Sequence, residues 1–217
     1  IGSCFEEALM KAARGAEIGV NSLNLKLLKS EPDEKIFNRV GQCTDQRLFA
    51  IFEAIKRGMT IREIHNITKI DIWFLAKLQH LSIIEAEFAL VKAGQKQLTP
   101  ESYLEAKKNG YPDTVIQDLT GVTIPGASGK TAEADKAAQL RAEGKLSHIP
   151  ATYKMVDTCA GEFNAETPYF YGDYDKANEA ADFLKTQNTS TKGTIIVLGS
   201  GPIRIGQGIE FDYASVQ

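Results

Sequence analysis

The sequence predicts a mainly α protein. A helical unit covers residues 1–150. Residues 151–217 form a partly extended segment ending in the first strand and loop of a truncated α/β domain. Three observations predict this. Through the first two thirds, apolar residues recur three and four apart between Ser/Thr starts and Gly stops. Beyond Pro150 the texture turns to short aromatic and β-branched runs. Near the end, "TIIVLGSGPIRIGQGIEFDY" (Thr194 to Tyr213) places one Ile/Val strand directly before a glycine-rich loop. Such a strand normally sits inside a parallel sheet. The segment before it has too few strands to flank it, so the pattern reads as the opening of something larger.

The elements follow in order. Ser3 with Glu6 reads as a capping box, and Phe5, Leu9, Ala12, Ala13 and Ala16 follow at helical spacing. Ser30-Glu31-Pro32-Asp33 opens a second helix with Ile36, Phe37 and Val40 as its buried side. A third carries Leu48, Ile51, Phe52 and Ile55 and stops at Gly58. Thr60 with Glu63 caps a short helix. Thr68 with Asp71 heads a long one holding Ile72, Leu75, Leu78, Ile83, Phe88 and Val91 before Gly94. Thr99-Pro100-Glu101 begins the next, with Pro in the first turn, and Asn109-Gly110 ends it. A short helix runs over about 113–119, then a Gly/Pro/Ser/Thr loop from Val122 to Lys130, then an Ala/Glu/Lys-rich helix over about 131–143. Tyr153, Met155 and Val156 read as extended, as does Tyr169-Phe170-Tyr171. A short helix near 177–184 and a polar linker, 188–193, lead to the strand Thr194 to Leu198.

Composition narrows the function classes. The chain of 217 residues is 43% hydrophobic and 24% charged, the balance of an ordinary globular protein. A net charge of −3 leaves no basic surplus for a nucleic-acid backbone. No apolar run approaches the roughly 20 residues that cross a bilayer, and no signal-peptide pattern opens the chain. The expectation is a cytoplasmic protein with no membrane or nucleic-acid partner. Starting at Ile1 rather than Met, it reads as a fragment or a processed product. Cys4, Cys43 and Cys159 lack metal-ligand spacing and read as reduced thiols. His65, His80 and His148 are isolated and read as structural or surface residues.

Four motifs carry possible chemistry. In the loop after Leu198, Gly199 and Gly201 fit the first two positions of Gly-x-Gly-x-x-Gly, but Arg204 stands at the third and Pro202 removes an N–H donor. The loop either lines a ligand or is a strand–helix turn. Its one cation, Arg204, could meet an anion. Glu210 and Asp212 are solvated charges or local acceptors. Gly126 to Thr131 ends like a phosphate-binding Gly-x-x-x-x-Gly-Lys-Thr, yet Ile124 stands where its first Gly belongs, which favours a surface loop. Thr60 to Leu81 has helix-turn-helix spacing. Its second helix opens Asp71-Ile72-Trp73-Phe74, acidic and apolar where base contacts need polar and basic groups. A packed helical corner exposing Trp73 and Phe74 to another domain is favoured. Cys159, followed by Glu162, has no His nearby in sequence to activate it and reads as structural.

"NITKIDIWFLAKL" (Asn66 to Leu78), "YKMVDTCAGEF" (Tyr153 to Phe163), "TPYFYGDYD" (Thr167 to Asp175) and "LGSGPIRIGQGIEFDY" (Leu198 to Tyr213) occur in an order that resembles the middle of the large chain of glutamine-dependent carbamoyl-phosphate synthetase. The likeness covers nearly the whole chain and departs from it between Val122 and Glu143. It implies that residues 1–150 are the helical oligomerisation or connector domain between two synthetase halves. It implies that 151–217 begin the second half with a truncated pre-ATP-grasp domain. The parent is then an ATP-dependent ligase of arginine and pyrimidine biosynthesis, making carbamoyl phosphate from bicarbonate, glutamine-derived ammonia and two ATP. By the resemblance, Arg204 and Glu210 meet carbamate or a phosphoryl group at the second site, and Gly199, Gly201, Gly206, Gln207 and Gly208 supply the close backbone. The fragment itself would hold no cofactor, ATP and Mg (or Mn) binding elsewhere in the parent, and would be inactive alone. Its implied partners are the other domains of the parent chain, a small glutaminase subunit or domain, and further copies in a homo-oligomer. The rival readings are a free-standing helical interaction scaffold and a helix-turn-helix DNA-binding regulator.

Overall fold

The computed structural model describes residues 1–124 and 151–186. The described chain is mainly helical, as the sequence predicts. Helices α1 (Phe5–Gly15), α2 (Lys26–Lys29), α3 (Asp33–Val40), α4 (Arg47–Lys56), α5 (Ile61–Thr68), α6 (Ile72–Lys92), α7 (Pro100–Lys108) and α8 (Asp113–Thr120) precede strands β1 (Thr152–Met155) and β2 (Phe170–Asp173) and helix α9 (Glu179–Thr186). The expected helix over 131–143 and the strand Thr194 to Leu198 lie outside the described residues.

Helix α4 is the centre. Phe49, Ala50, Ile51, Phe52, Ala54 and Ile55 are all buried, so it presents apolar side chains to several neighbours at once. It packs against α3 on one side and α6 on the other. Arg57, just past its end, donates to the Leu28 carbonyl at 2.9 Å and the Glu31 carbonyl at 2.6 Å, tying α2 and the approach to α3 onto α4. The single turn α2, which buries Leu28, had no signal in the sequence.

Helix α6 is the spine. Its 21 residues span about 31 Å. Leu75, Leu78, Leu81, Ile84, Glu85, Phe88 and Val91 face inward. Two residues expected there do not: Ile72 is 42% exposed and Ile83 is 61% exposed. Ile83 stands two positions from both Leu81 and Glu85, about 200° round the helix from each.

The caps also differ from the sequence reading at two points. The N-cap of α1 is Cys4, whose Sγ accepts from the Glu7 N–H at 3.4 Å. Ser3 instead donates from its backbone and hydroxyl to the Glu7 carboxylate. The pairing expected of Ser3 with Glu6 is thus displaced by one residue. The buried side of α1 carries Glu6, Glu7, Met10 and Ala13, while Ala12 and Ala16 are exposed. At the head of α6, Asp71 is itself the N-cap, accepting from the Trp73 N–H at 2.7 Å. Thr68 belongs to α5 and donates back to the Ile64 carbonyl. The Thr60–Glu63 capping box and the Thr99-Pro100 start are as the sequence predicts, with Ser102 completing the latter.

Beyond the helical unit, β1 and β2 pair antiparallel, with Thr152 opposite Asp173 and Met155 opposite Phe170. The pairing extends one step through the Val156 N–H to the Tyr169 carbonyl at 2.7 Å. Helix α9 covers β1: Glu179 accepts from the Met155 N–H at 2.6 Å, and Phe183 meets Phe170 edge-on.

Candidate functional site

The helical unit receives the β segment along α1. Lys11 donates through Nζ to the Gly172 carbonyl at 2.8 Å and lies over the Tyr171 ring. Ser3 donates from Oγ to Asp173 Oδ1 at 3.2 Å, and the Lys107 ammonium stands over the Tyr174 ring. Asp173 is buried, and its Oδ1 also accepts from the Tyr174 N–H. This is a polar, cation–π seam rather than a second core. Beneath it, α1 meets the end of α7 at Gly110. Gly110 has φ +87°, and a Cβ there would lie 2.9 Å from the Met10 Cβ and 3.1 Å from the Glu7 Cα. Only glycine permits both the backbone conformation and the approach.

Three carboxylates organise the unit. Glu85 is 5% exposed within the apolar stripe of α6. Its Oε1 accepts from the Asn24 amide at 2.6 Å and its Oε2 from Lys56 at 2.9 Å, while Lys56 also donates to Asn24 Oδ1. The buried Tyr111 hydroxyl lies 3.2 Å from the Leu81 carbonyl and 3.4 Å from Glu85. Burial first, and then Glu85, push the Tyr111 phenol well above its ordinary pKa. Glu6, also buried, faces His80 at 3.0 Å and Lys77 at 3.4 Å. Burial pushes the Glu6 carboxyl up, but its hydrogen bonds with His80 and the backbone, and the charge of Lys77, together hold it below the usual range.

Glu31 takes both Arg39 Nε at 2.7 Å and Nη2 at 2.8 Å in a two-pronged contact, with Lys35 at 2.9 Å. Arg39 first, then Lys35, hold its pKa at about 2 against an ordinary 4.5. A carboxyl depressed in the folded state stabilises above its unfolded pKa and loses that contribution as pH falls through the folded one. Unfolding midpoints are therefore expected to drop between pH 4.5 and about 2. Glu31→Gln should flatten that part of the profile. An unchanged acid limb in the variant would contradict the assignment.

At the turn from α5 to α6, Lys69 adopts a left-handed conformation (φ 60°) and the chain re-enters helix at Ile72. Trp73, Phe74 and Phe5 form a cluster with centroids 5.0–5.4 Å apart, and Lys77 stands over Trp73. Trp73 and Phe74 remain half-exposed. The would-be recognition helix thus begins in an aromatic patch, the packed corner that the sequence favoured.

The residues singled out for ligand contact, Gly199, Gly201, Arg204, Gly206, Gln207, Gly208 and Glu210, lie outside the described residues. So does the Gly126 to Thr131 loop. Ile124, at the position of that loop's missing first glycine, is a buried core residue whose N–H donates to Gln117 Oε1. Cys159 opens a turn in which Ala160 and Gly161 both have positive φ and the Glu162 N–H returns to the Cys159 carbonyl. His80 is engaged with Glu6, and His65 Nδ1 lies 2.7 Å from the Ile70 carbonyl. Among the described residues no helix is long and apolar enough to cross a membrane.

Sequence reasoning missed the Glu85 hub. Its signal was present, since a carboxylate stands at the 81–85–88 positions between Leu81 and Phe88.

Comparison with known families matches both ends of the sequence. Residues 1–137 match the family model described as carbamoyl-phosphate synthetase large chain, oligomerisation domain. Residues 191–217 match the carbamoyl phosphate synthase preATP-grasp domain. The first match alone takes in well over half of the 217 residues, and the chain belongs to the carbamoyl-phosphate synthetase large-chain family.

Proposed function

We propose that this chain is the connector and assembly unit of the large chain of an ATP-dependent ligase that makes carbamoyl phosphate from bicarbonate, glutamine-derived ammonia and two ATP. Residues 1–150 form the connector, and 151–217 lead into the second synthetase half. The observation that carries this reading is the pair of family matches, an oligomerisation domain followed in the same chain by the opening of a pre-ATP-grasp domain. The anchoring of the β segment on α1 through Lys11 and Ser3 supports it, because a connector must hold its exit at a fixed place. The exposed Trp73–Phe74 patch suits contact with a neighbouring domain of the parent. Further partners under this reading are the small glutaminase subunit or domain and other copies of the parent chain, in the cytoplasm.

In this reading Arg204 offsets the negative charge that develops on a carbamate or phosphoryl group at the second site. Glu210 hydrogen-bonds the carbamate amino group or gates its entry, and Gly199, Gly201, Gly206, Gln207 and Gly208 line the approach. Among the described residues no three His, Cys, Asp or Glu side chains could hold a metal ion. ATP and Mg (or Mn) bind, in this reading, to the parent's other domains.

Two measurements test the proposal. The purified 217-residue chain is expected to hydrolyse no ATP, with or without bicarbonate. Turnover that tracks the protein through successive purification steps would overturn it. In the full-length parent, Arg204→Met should slow carbamoyl-phosphate formation by about 10²-fold or more while sparing bicarbonate-dependent ATP hydrolysis in the first half. Equal loss of both activities would remove Arg204 from the second site.

A further inference from the structure

Where the β segment meets the helical unit, a cavity of about 340 Å³ lies between α1, the turn from α7 to α8, and β2. That is the small end of the range for ligand pockets, which form preferentially where packed units meet. Three cations line it, Lys11, Arg14 and Lys107, together with two carboxylates, Glu7 and Asp173. Most of these charges are already met within the protein. Lys11 pairs with Glu7 at 2.7 Å. Ser3 Oγ and the Tyr174 N–H donate to Asp173 Oδ1, and Lys154 stands 3.9 Å from its Oδ2. Lys107 pairs with Asp113 at 2.9 Å. Arg14 differs. It is half-buried, and its Nη1 donates to the Gly110 carbonyl at 2.7 Å. A guanidinium carries five N–H donors. Among the described residues Arg14 has no other hydrogen-bond acceptor and no carboxylate within ion-pair distance. Burial pushes it below its ordinary pKa, with only the more distant charge of Glu7 in opposition. Arg39, by contrast, grips Glu31 with two prongs, and that contact raises its pKa.

We propose that this cavity binds a small organic monocarboxylate, its two oxygens on the guanidinium fork of Arg14 and its body against Pro112, Ala151 and Tyr174. The inference goes beyond the connector reading and does not depend on the reaction of the parent. Three features select the ligand. The first is shape. A planar guanidinium matches a planar carboxylate through two parallel hydrogen bonds, the contact this protein already makes between Arg39 and Glu31. The second is charge. Three lining cations stand against two lining carboxylates, so one negative charge balances the cavity. A phosphate dianion would exceed that balance and meet Glu7 and Asp173 as like charges. The third is the wall. Pro112, Ala151 and Tyr174 line the cavity with apolar and aromatic surface, which suits an organic body rather than a bare ion. Because α1, the α7–α8 turn and β2 each supply part of the lining, an occupant touches both the helical unit and the β segment. Binding then stabilises the joined arrangement over the separated one.

The test is an NMR titration that follows the backbone amides of the whole 217-residue chain. The probes are benzoate and butyrate, with uncharged benzamide and inorganic phosphate as controls. Benzoate or butyrate is expected to saturate with a Kd of about 1 mM or tighter. The shifted amides should centre on Gly110, Gly172 and Tyr174. Benzamide should not bind, and phosphate should bind at least about tenfold more weakly than the better carboxylate. Arg14→Gln should weaken carboxylate binding by about tenfold or more. That variant also loses the bond to Gly110, so a second one guards the result. Ala151 is exposed, and Ala151→Leu narrows the cavity without touching the core. It should weaken binding comparably while the thermal midpoint stays as in the parent sequence. If Arg14→Gln fails to fold, Ala151→Leu decides. Saturation by neither carboxylate would overturn the proposal, as would shifts centred away from the three amides. Binding that ignores Ala151→Leu, or a folded Arg14→Gln that binds as before, would remove the ligand from this cavity. Phosphate binding as tightly as the carboxylates would overturn the choice of ligand.

Discussion

Replacing Glu85 with leucine is expected to lower the unfolding free energy by about 3 kcal/mol, although leucine is the more hydrophobic side chain. The carboxylate is enclosed by groups that exist to meet it. Asn24 donates to one oxygen and Lys56 to the other, and the buried Tyr111 hydroxyl lies within 3.4 Å. Removing it takes the shortest acceptor from the half-buried Asn24 amide and the carboxylate partner at 2.9 Å from the Lys56 ammonium. Lys56 is about a quarter exposed and can turn to water, so the loss falls at the lower end of the range for broken buried pairs. A double-mutant cycle in urea separates the contributions. Glu85→Leu and Lys56→Met should each destabilise, and the double variant should cost at least about 1 kcal/mol less than their sum, the mark of coupled neighbours. Strict additivity would show that Glu85 and Lys56 do not act as a pair.

Gly110→Val is expected to cost about 3 kcal/mol or more and to act on the seam between α1 and α7. Two effects combine. The positive φ disfavours any β-branched residue. The new side chain would also enter space held by Met10 and by the backbone of Glu7. Gly94 supplies the control. It has φ +72° after α6 but nothing within 4 Å of an added Cβ. Gly94→Ala should therefore show the conformational cost alone, about 1–2 kcal/mol. If Gly110→Ala and Gly94→Ala lose equally in chemical denaturation, the close approach of α1 carries no energetic weight. If the Gly110 variant loses more, its excess measures that packing.

The helices were legible because their signals are local. Thr60 with Glu63, Thr99 with Pro100, and the glycines after α4, α6 and α7 each act within a turn or two of sequence. What was not legible depended on partners far along the chain. Ile83 reads as inward because apolar residues normally are, and only the packing of α6 on α4 and α8 decides which of its faces is turned out. The buried Glu6 and Glu7 draw on His80, Lys77 and Lys11, two of which lie more than seventy residues away. Cys4 displaced Ser3 as the cap because Ser3 is turned to Glu7 and to Asp173, 170 residues on. The aromatic corner was readable from "DIWF" because its meaning is chemical. An acidic and apolar helix start cannot serve as a base-reading edge, whatever surrounds it.

The bond from Lys11 to Gly172 joins residues 161 positions apart. A ribosome adding about 5–20 residues each second needs roughly 8–30 seconds to cover that interval. Through that time α1 exists without the strand that completes its outer side, and Gly172 cannot yet accept from Lys11. The first helix of this unit is thus among the last to be fully enclosed. Its outer side, with the Lys11 ammonium facing water until then, keeps the nascent unit from presenting a bare greasy surface to its neighbours on the same message.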